Sequence, residues 1–361
     1  MKILILHAYS ADNAGDGLLV DEALDLLREA LAEDLDITLL ASRPLTFAHL
    51  PVVAIPTVPT LRGYDPALRA VLRSIDEFDL VLAVGGGYLR AGTFVEALKE
   101  ILVQGPQLRA AARTDVPTVY LPQSIGPVRG GLAFPLRRLL SRMDAVMLRD
   151  DRSVDEFGSV NATRSPDLAA QRVLGGRRPG EQPLEVPVLS IRAVHGRINP
   201  DLYRLARSLG TFDGYVQSTT GGNDDRPAAA TLSHRRLLER PELMTPGGRP
   251  RVVIAVRLHA ALMALAAGHY VVHLAYERKG FGAFGDLGLT PWVHNVNRFD
   301  PQVVAEQATA LLTDAATRAD YEERLERSGP VLSAQRDRIV RVIAGLARPA
   351  APSESRSGSR R

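Results

Sequence analysis

The 361-residue chain contains no cysteine. Disulfide staples, thiolate zinc sites, cysteine-ligated iron–sulfur clusters and a cysteine nucleophile are thereby excluded. No apolar run approaches the roughly 20 residues that a membrane span needs. The amino terminus has a short apolar run at residues 3–6 and no signal-peptide cleavage pattern, so a cytoplasmic protein is expected. Aromatic residues make up only 5%, and no basic stripe with interleaved aromatics runs through the body. A nucleic-acid partner is therefore not expected.

Net charge is scarce as well. The 44 basic and 41 acidic residues leave +3, all of it in the last fifteen residues, where Arg348, Arg356, Arg360 and Arg361 face only Glu354. The body is formally neutral. Lysine is nearly absent, with Lys2, Lys99 and Lys279 against 41 arginines, a usage that tells of genome composition more than of function.

What remains is an ordinary globular composition, 45% apolar and 24% charged. At this length one core is not enough, since single cores stop growing near roughly 250–300 residues. Short apolar runs at residues 3–7, 36–40, 80–84, 118–121 and 145–148 alternate with helical spacing at 18–31 and 66–77. That alternation predicts a parallel sheet covered on both faces. A Gly/Pro/charge-rich stretch at 175–187 reads as a linker. Strands are then expected at 188–192, 215–217, 252–256 and 270–274, and helices at 258–267, 301–312 and 314–345. The expected architecture is α/β: two Rossmann-like domains, residues 1–175 and 176–346, followed by a disordered basic tail, 347–361.

In such sheets ligands sit at the carboxyl ends of the strands, so the loops there carry the candidates. Asn13-Ala-Gly-Asp-Gly opens the first helix; it offers an anion or hydroxyl site, or an N-cap by Asn13 or Asp16. Its spacing is not a dinucleotide fingerprint. Gly85-Gly86-Gly87 permits close approach of a ligand or another backbone. Pro122-Gln123-Ser124-Ile125-Gly126-Pro127 places an amide and a hydroxyl on the same edge, or is a rigid turn. At Arg149-Asp150-Asp151-Arg152-Ser153 the reading favours helix capping and local ion pairs. Arg192 ends a strand of the second half. Gln217 begins a loop whose Asp224 and Asp225 can hold a hydroxylated substrate or act as acid or base. The sharpest signal is Arg257-Leu258-His259 at a strand-to-helix junction, a guanidinium for an anion beside an imidazole able to donate a proton. Lys279 follows the next strand as a second cation. No metal-ligand spacing occurs, and none is expected to be required.

Taken in order, NAGDG, GGGYL, PQSIGP, LRDDRS, SPDLA, QSTTGGNDD, VRLHAALMALAAG and AYERKG resemble the polysaccharide pyruvyl transferase family. The resemblance runs from about Asn13 to Leu289. It implies a glycosyltransferase-B-like (GT-B) arrangement of the two domains with a cleft between them. It also implies transfer of pyruvyl from phosphoenolpyruvate to two hydroxyls of a sugar, giving a cyclic ketal and phosphate. The family's phosphoenolpyruvate-contacting Arg and His fall on Arg257 and His259; Gly268-His269-Tyr270 departs from a commoner Gly-x-Pro. On this reading His259, Arg257 and Asp16 are catalytic, with Asp224 a second candidate base. Arg192, Lys279, Asn13, Gly86, Gly87, Gln123, Ser124, Gln217 and Asp224 bind substrates. Phosphoenolpyruvate is a co-substrate and no cofactor is expected. The acceptor is a polysaccharide or a lipid-linked saccharide, the latter placing the protein at the inner face of the plasma membrane with the basic tail as a contact. Two alternatives are a nucleotide-sugar glycosyltransferase of the same plan and a non-catalytic carbohydrate-binding relative.

Overall fold

The strands best buried in sequence form the centres of two all-parallel sheets. The computed structural model describes residues 1–347 apart from 32–33, 130, 160, 175–176, 178–179, 195 and 220–223. The first sheet contains β1 (Lys2–Ala8), β2 (Asp36–Ala41), β3 (Val53–Pro56), β4 (Leu80–Ala83), β5 (Thr118–Gln123), β6 (Ala145–Leu148) and β7 (Ala162–Arg164). Its order is β3-β2-β1-β4-β5-β6-β7. The second contains β8 (Val188–Ser190), β9 (Asp213–Tyr215), β10 (Leu237–Leu238), β11 (Val252–Ala255), β12 (Tyr270–Ala275) and β13 (Val293–Asn295), in the order β10-β9-β8-β11-β12-β13. Every residue of β4, β5, β8, β11 and β12 is buried, which is why these strands read as continuous apolar runs.

The four strands that the apolar pattern did not predict, β3, β7, β10 and β13, are the four sheet edges. Edge strands bury one side only, are short, and tolerate exposed residues such as Val53. A further difference is at β9, which begins at Asp213 instead of Tyr215. The Asp213 carboxylate is buried there by hydrogen bonds from Arg235 Nε (2.8 Å) and Arg251 Nη1 (3.1 Å). A polar strand start of that kind is invisible to hydrophobic periodicity. The 66–77 helix stops at Arg73 and resumes as a single 3₁₀ turn, Ile75–Glu77.

Strand order reverses between β1 and β4 in one sheet and between β8 and β11 in the other. Crevices at such switch points are where parallel sheets bind ligands, and both open onto one cleft. The halves are tied across it by ion pairs of Arg90 with Glu277 (2.9 Å), Arg164 with Asp286 (2.9 Å) and Arg278 with Asp150 (3.1 Å).

The final helix, Ala315–Leu346, serves both cores. Tyr321, Leu325 and Leu332 pack in the second, whereas Ile339 and Ile343, beyond Pro330, pack in the first. The end of this helix, assigned to the second domain on sequence, thus packs against the first sheet. Ala347, expected in the tail, is buried with it. The remainder of the tail, 348–361, lies outside the described residues, as do residues 175–176 and 178–179 of the expected linker.

Candidate active site

The cleft has a volume of about 660 Å³ and is lined from both halves. From the first come His7 at the end of β1, the Gly85–Gly87 loop after β4, Arg149 after β6, and Asn13 and Asp16 at the start of the helix Ala14–Leu31. From the second come Arg192 after β8, Gln217 after β9, Arg257 and His259 after β11, and Lys279 after β12. Nine of the twelve residues picked from sequence, Gly86 and Gly87 among them, therefore meet in one place. A narrower recess of about 230 Å³, sharing Gly87, Arg90, Glu277 and Lys279, adds Ser124 as a tenth.

Two expected residues lie elsewhere. Gln123 is fully buried at the end of β5, bridged through its backbone to Gly86, and neither end of its amide has a protein partner among the described residues. Asp224 is turned away and gives both carboxylate oxygens to exposed Arg226 (2.6 Å at the shorter contact). Its neighbour takes the position instead: Asp225 is buried and accepts from Arg257 Nη2 at 2.7 Å and from Arg257 Nε. Adjacent carboxylates at a helix start point in different directions, so spacing alone could not tell them apart.

Arg149 is the main residue that the sequence reading undervalued. Asp150 does cap the following helix, accepting from Ser153 N at 3.0 Å. Arg149, however, is buried in the cleft wall, donating Nε to Ser124 Oγ (2.9 Å) and pairing through Nη1 with Asp167. Asp167, from the SPDLA segment, also caps the helix Leu168–Gln171. Burial alone would raise its pKa, yet Arg149 and His259 pull it below the usual carboxylate range. Arg149 stands at a strand end like the other candidates, and that position was the available signal. Gly87 lacks a side chain where a Cβ would lie 3.3 Å from Arg149 Nη2 and 4.0 Å from Lys279 Nζ, so both cations reach the loop backbone.

The cations are held by carboxylates that leave them oriented. Lys279 Nζ lies 2.8 Å from Glu277, which Arg90 also contacts at 2.9 Å. Against the burial that would raise it, these two cations hold Glu277 down to about 2. Arg192 packs its guanidinium over the Tyr276 ring and donates Nη1 to the Tyr276 hydroxyl at 2.8 Å.

His259 begins the helix Leu258–Ala266, and its Nε2 is shut off from solvent without a protein partner among the described residues. Burial drives its pKa down to about 4, assisted by Arg149, Lys279 and Arg257 and opposed by Asp167. The imidazole is neutral at pH 7. Its seat depends on Gly15 of the NAGDG motif: a Cβ there would fall 2.1 Å from His259 Nδ1. Asp16 moves the other way. Burial raises it to about 6, against Lys279 and a hydrogen bond from Asn13 Nδ2 (2.5 Å). The Asn13 side chain is thus spent on Asp16.

This arrangement is a cationic, partly desolvated cleft between the switch points of two Rossmann-like domains, the glycosyltransferase-B architecture. The fold is similar to that of a Listeria monocytogenes protein assigned as a UDP-N-acetylglucosamine 2-epimerase (TM-score 0.54, 12% identity, 95% of each chain covered). It is also similar to a trehalose-6-phosphate synthase (TM-score 0.52, 11% identity, 95% of this chain and 99% of that chain). The spinosyn forosaminyltransferase SpnP aligns over 94% of this chain and 99% of its own (TM-score 0.50, 12% identity). No curated protein matches the chain in sequence. The model of the family described as polysaccharide pyruvyl transferase matches residues 13–220, more than half of the chain, and the chain belongs to that family. The match ends before Arg257, His259 and Lys279, whose place in the site rests on the geometry.

Proposed function

We propose that the protein transfers pyruvyl from phosphoenolpyruvate to two hydroxyls of a saccharide, forming a cyclic ketal and releasing phosphate. The observation that carries this reading is the convergence of Arg149, Arg257, Arg192 and Lys279, from four strand ends, on the cleft that holds His259, whose Nε2 has no partner among the described residues. A carboxylate and a phosphate on one small molecule call for several cations at once, and guanidinium groups bind both oxyanions in bidentate fashion. The family supplies the pyruvyl group and the saccharide.

The proton accounting follows from the two shifted groups. Arrival of a polyanion beside His259 counters the three cations that depress it and raises its pKa, so protonation accompanies donor binding. The imidazolium then delivers its proton to the methylene carbon, which becomes the methyl group of the ketal. The carbon bearing the carboxylate takes a sugar hydroxyl, and the phosphate leaves as the second hydroxyl closes the ring. Asp16, at about 6, is ionised at pH 7 yet basic enough to accept the first hydroxyl proton. The second proton leaves with phosphate. No step calls on a cofactor or metal.

Titration calorimetry with phosphoenolpyruvate and with a nucleoside diphosphate tests the donor. Binding of the former, weakened at least about tenfold in Arg257→Ala, is expected. Binding of the nucleoside diphosphate alone would instead favour a nucleotide-sugar glycosyltransferase.

A further inference from the structure

One helical run beside the cleft mouth has an apolar face with nothing covering it. The helix Phe94–Lys99 continues through a π-turn, Glu100–Gln104, and none of these eleven residues is buried. Phe94, Val95, Leu98, Ile101 and Leu102 recur at i, i+1, i+4, i+7 and i+8, the spacing of a single helix face. Phe94 is 83% exposed and Val95 61%. Monomers rarely leave a contiguous apolar stripe of this kind in water.

The surroundings extend the stripe. The turn Thr60–Gly63, closed by reciprocal backbone hydrogen bonds of 3.0 and 2.9 Å, carries fully exposed Leu61 and exposed Arg62 at its tip. Tyr64 fastens that turn to the run by donating its hydroxyl to Leu102 O at 2.8 Å. Lys99 lies on the run itself. Arg109 folds back over Gly105, and Arg73, Arg109 and Arg113 share the adjoining hollow with Tyr64. The acidic group in that hollow, Asp76, is occupied by the Thr114 hydroxyl. The run also reaches the cleft, because Glu96 and Gln104 line it.

We propose that this face, Leu61 with the Phe94–Leu102 stripe and its basic rim, rests on an anionic phospholipid bilayer and presents the cleft to it. Protruding apolar tips with basic residues beside them fit a headgroup layer, where alkyl groups enter the acyl boundary and guanidinium groups meet lipid phosphates. The surface goes beyond the transfer chemistry and does not depend on the identity of the donor.

The test is co-sedimentation of the full chain with phosphatidylcholine vesicles, with and without phosphatidylglycerol. Binding is expected on the anionic vesicles. It is expected to weaken about tenfold or more in Phe94→Glu/Leu98→Glu and roughly fivefold in Arg109→Ala and in Arg113→Ala. Phosphoenolpyruvate binding and thermal midpoint, measured on the same samples, are expected to stay at wild-type values. The proposal fails if the wild type ignores anionic vesicles or if Phe94→Glu/Leu98→Glu binds them unchanged. It fails equally if deleting residues 348–361 removes all binding, or if light scattering shows a dimer that the double substitution dissociates.

Discussion

Two strand ends carry a buried histidine each, and their difference separates structure from chemistry. His7 closes β1 and His259 follows β11; both line the cleft and both are pushed to about 4 by burial. Every polar atom of the His7 ring is used. Nδ1 meets Gln104 Oε1 at 2.6 Å, Nε2 meets the Tyr120 hydroxyl at 3.1 Å, and the ring stacks on Tyr88. Its backbone adopts φ +68°, a conformation that favours glycine and is sustained here by Gln107 accepting from His7 N. His259 has the same burial and three cations nearby, but its Nε2 has no partner among the described residues. Equal pKa depression therefore does not mean equal surroundings. His273 shares the depression and an Nε2 without a partner among the described residues but does not line the cleft, so the candidacy of His259 rests on its unpartnered nitrogen together with its place in the cleft.

The largest expected effect tests that contrast directly. His259→Ala should lower the transfer rate by roughly 10²–10⁴-fold with little change in thermal midpoint. His7→Ala should do the reverse, costing about 1–3 kcal/mol for the partners left unsatisfied while the rate falls much less. Steady-state kinetics alongside calorimetric unfolding will decide; equal losses of rate in the two variants would erase the distinction. Gly15→Ala offers a second version, since the nearest atoms its methyl group meets are those of the His259 side chain, at 2.1–2.6 Å.

An intermediate effect concerns pH. Because kcat/KM reports the free enzyme, it should fall as the pH drops through about 6, where Asp16 takes up its proton. Asp16→Asn should be slower throughout and lack that inflection. An unchanged profile in the variant would assign the base elsewhere. The histidines also contribute to stability. Folded they titrate near 4 and unfolded near 6.5, so their contribution is lost as pH falls through that window, while Asp16, raised to about 6 by burial, acts in the opposite direction.

The smallest effects distinguish neighbouring carboxylates. Asp225→Asn should weaken donor binding by releasing Arg257, whereas Asp224→Asn should leave binding and activity within error. If Asp224→Asn proved the more damaging of the two, the loop would close differently around substrate.

Much of the site was legible because strand-end position is a topological property. Apolar runs located β1, β4, β8 and β11, and their following residues gave Gly86, Gly87, Arg192, Arg257 and His259. The same rule also covered His7 and Arg149, but His7 read only as the end of an apolar strand, and local capping and pairing explained Arg149 well enough to hide it. Direction was not legible. Nothing in the order Asp224-Asp225 says which carboxylate turns inward, and nothing near Gln123 says that it is buried without lining the cleft.

By itself, then, the sequence determined the elements and their alternation, since burial on both faces demands continuous apolar strands and amphipathic helices. It also excluded cysteine chemistry and placed the excess charge beyond residue 347. Only the tertiary structure decided which charges meet. Contacts such as Arg149 with Asp167, Gly15 with His259, and Arg257 with Asp225 join residues 18 to 244 positions apart. Their energies depend on distance and desolvation, which exist only once the two sheets have closed on one another.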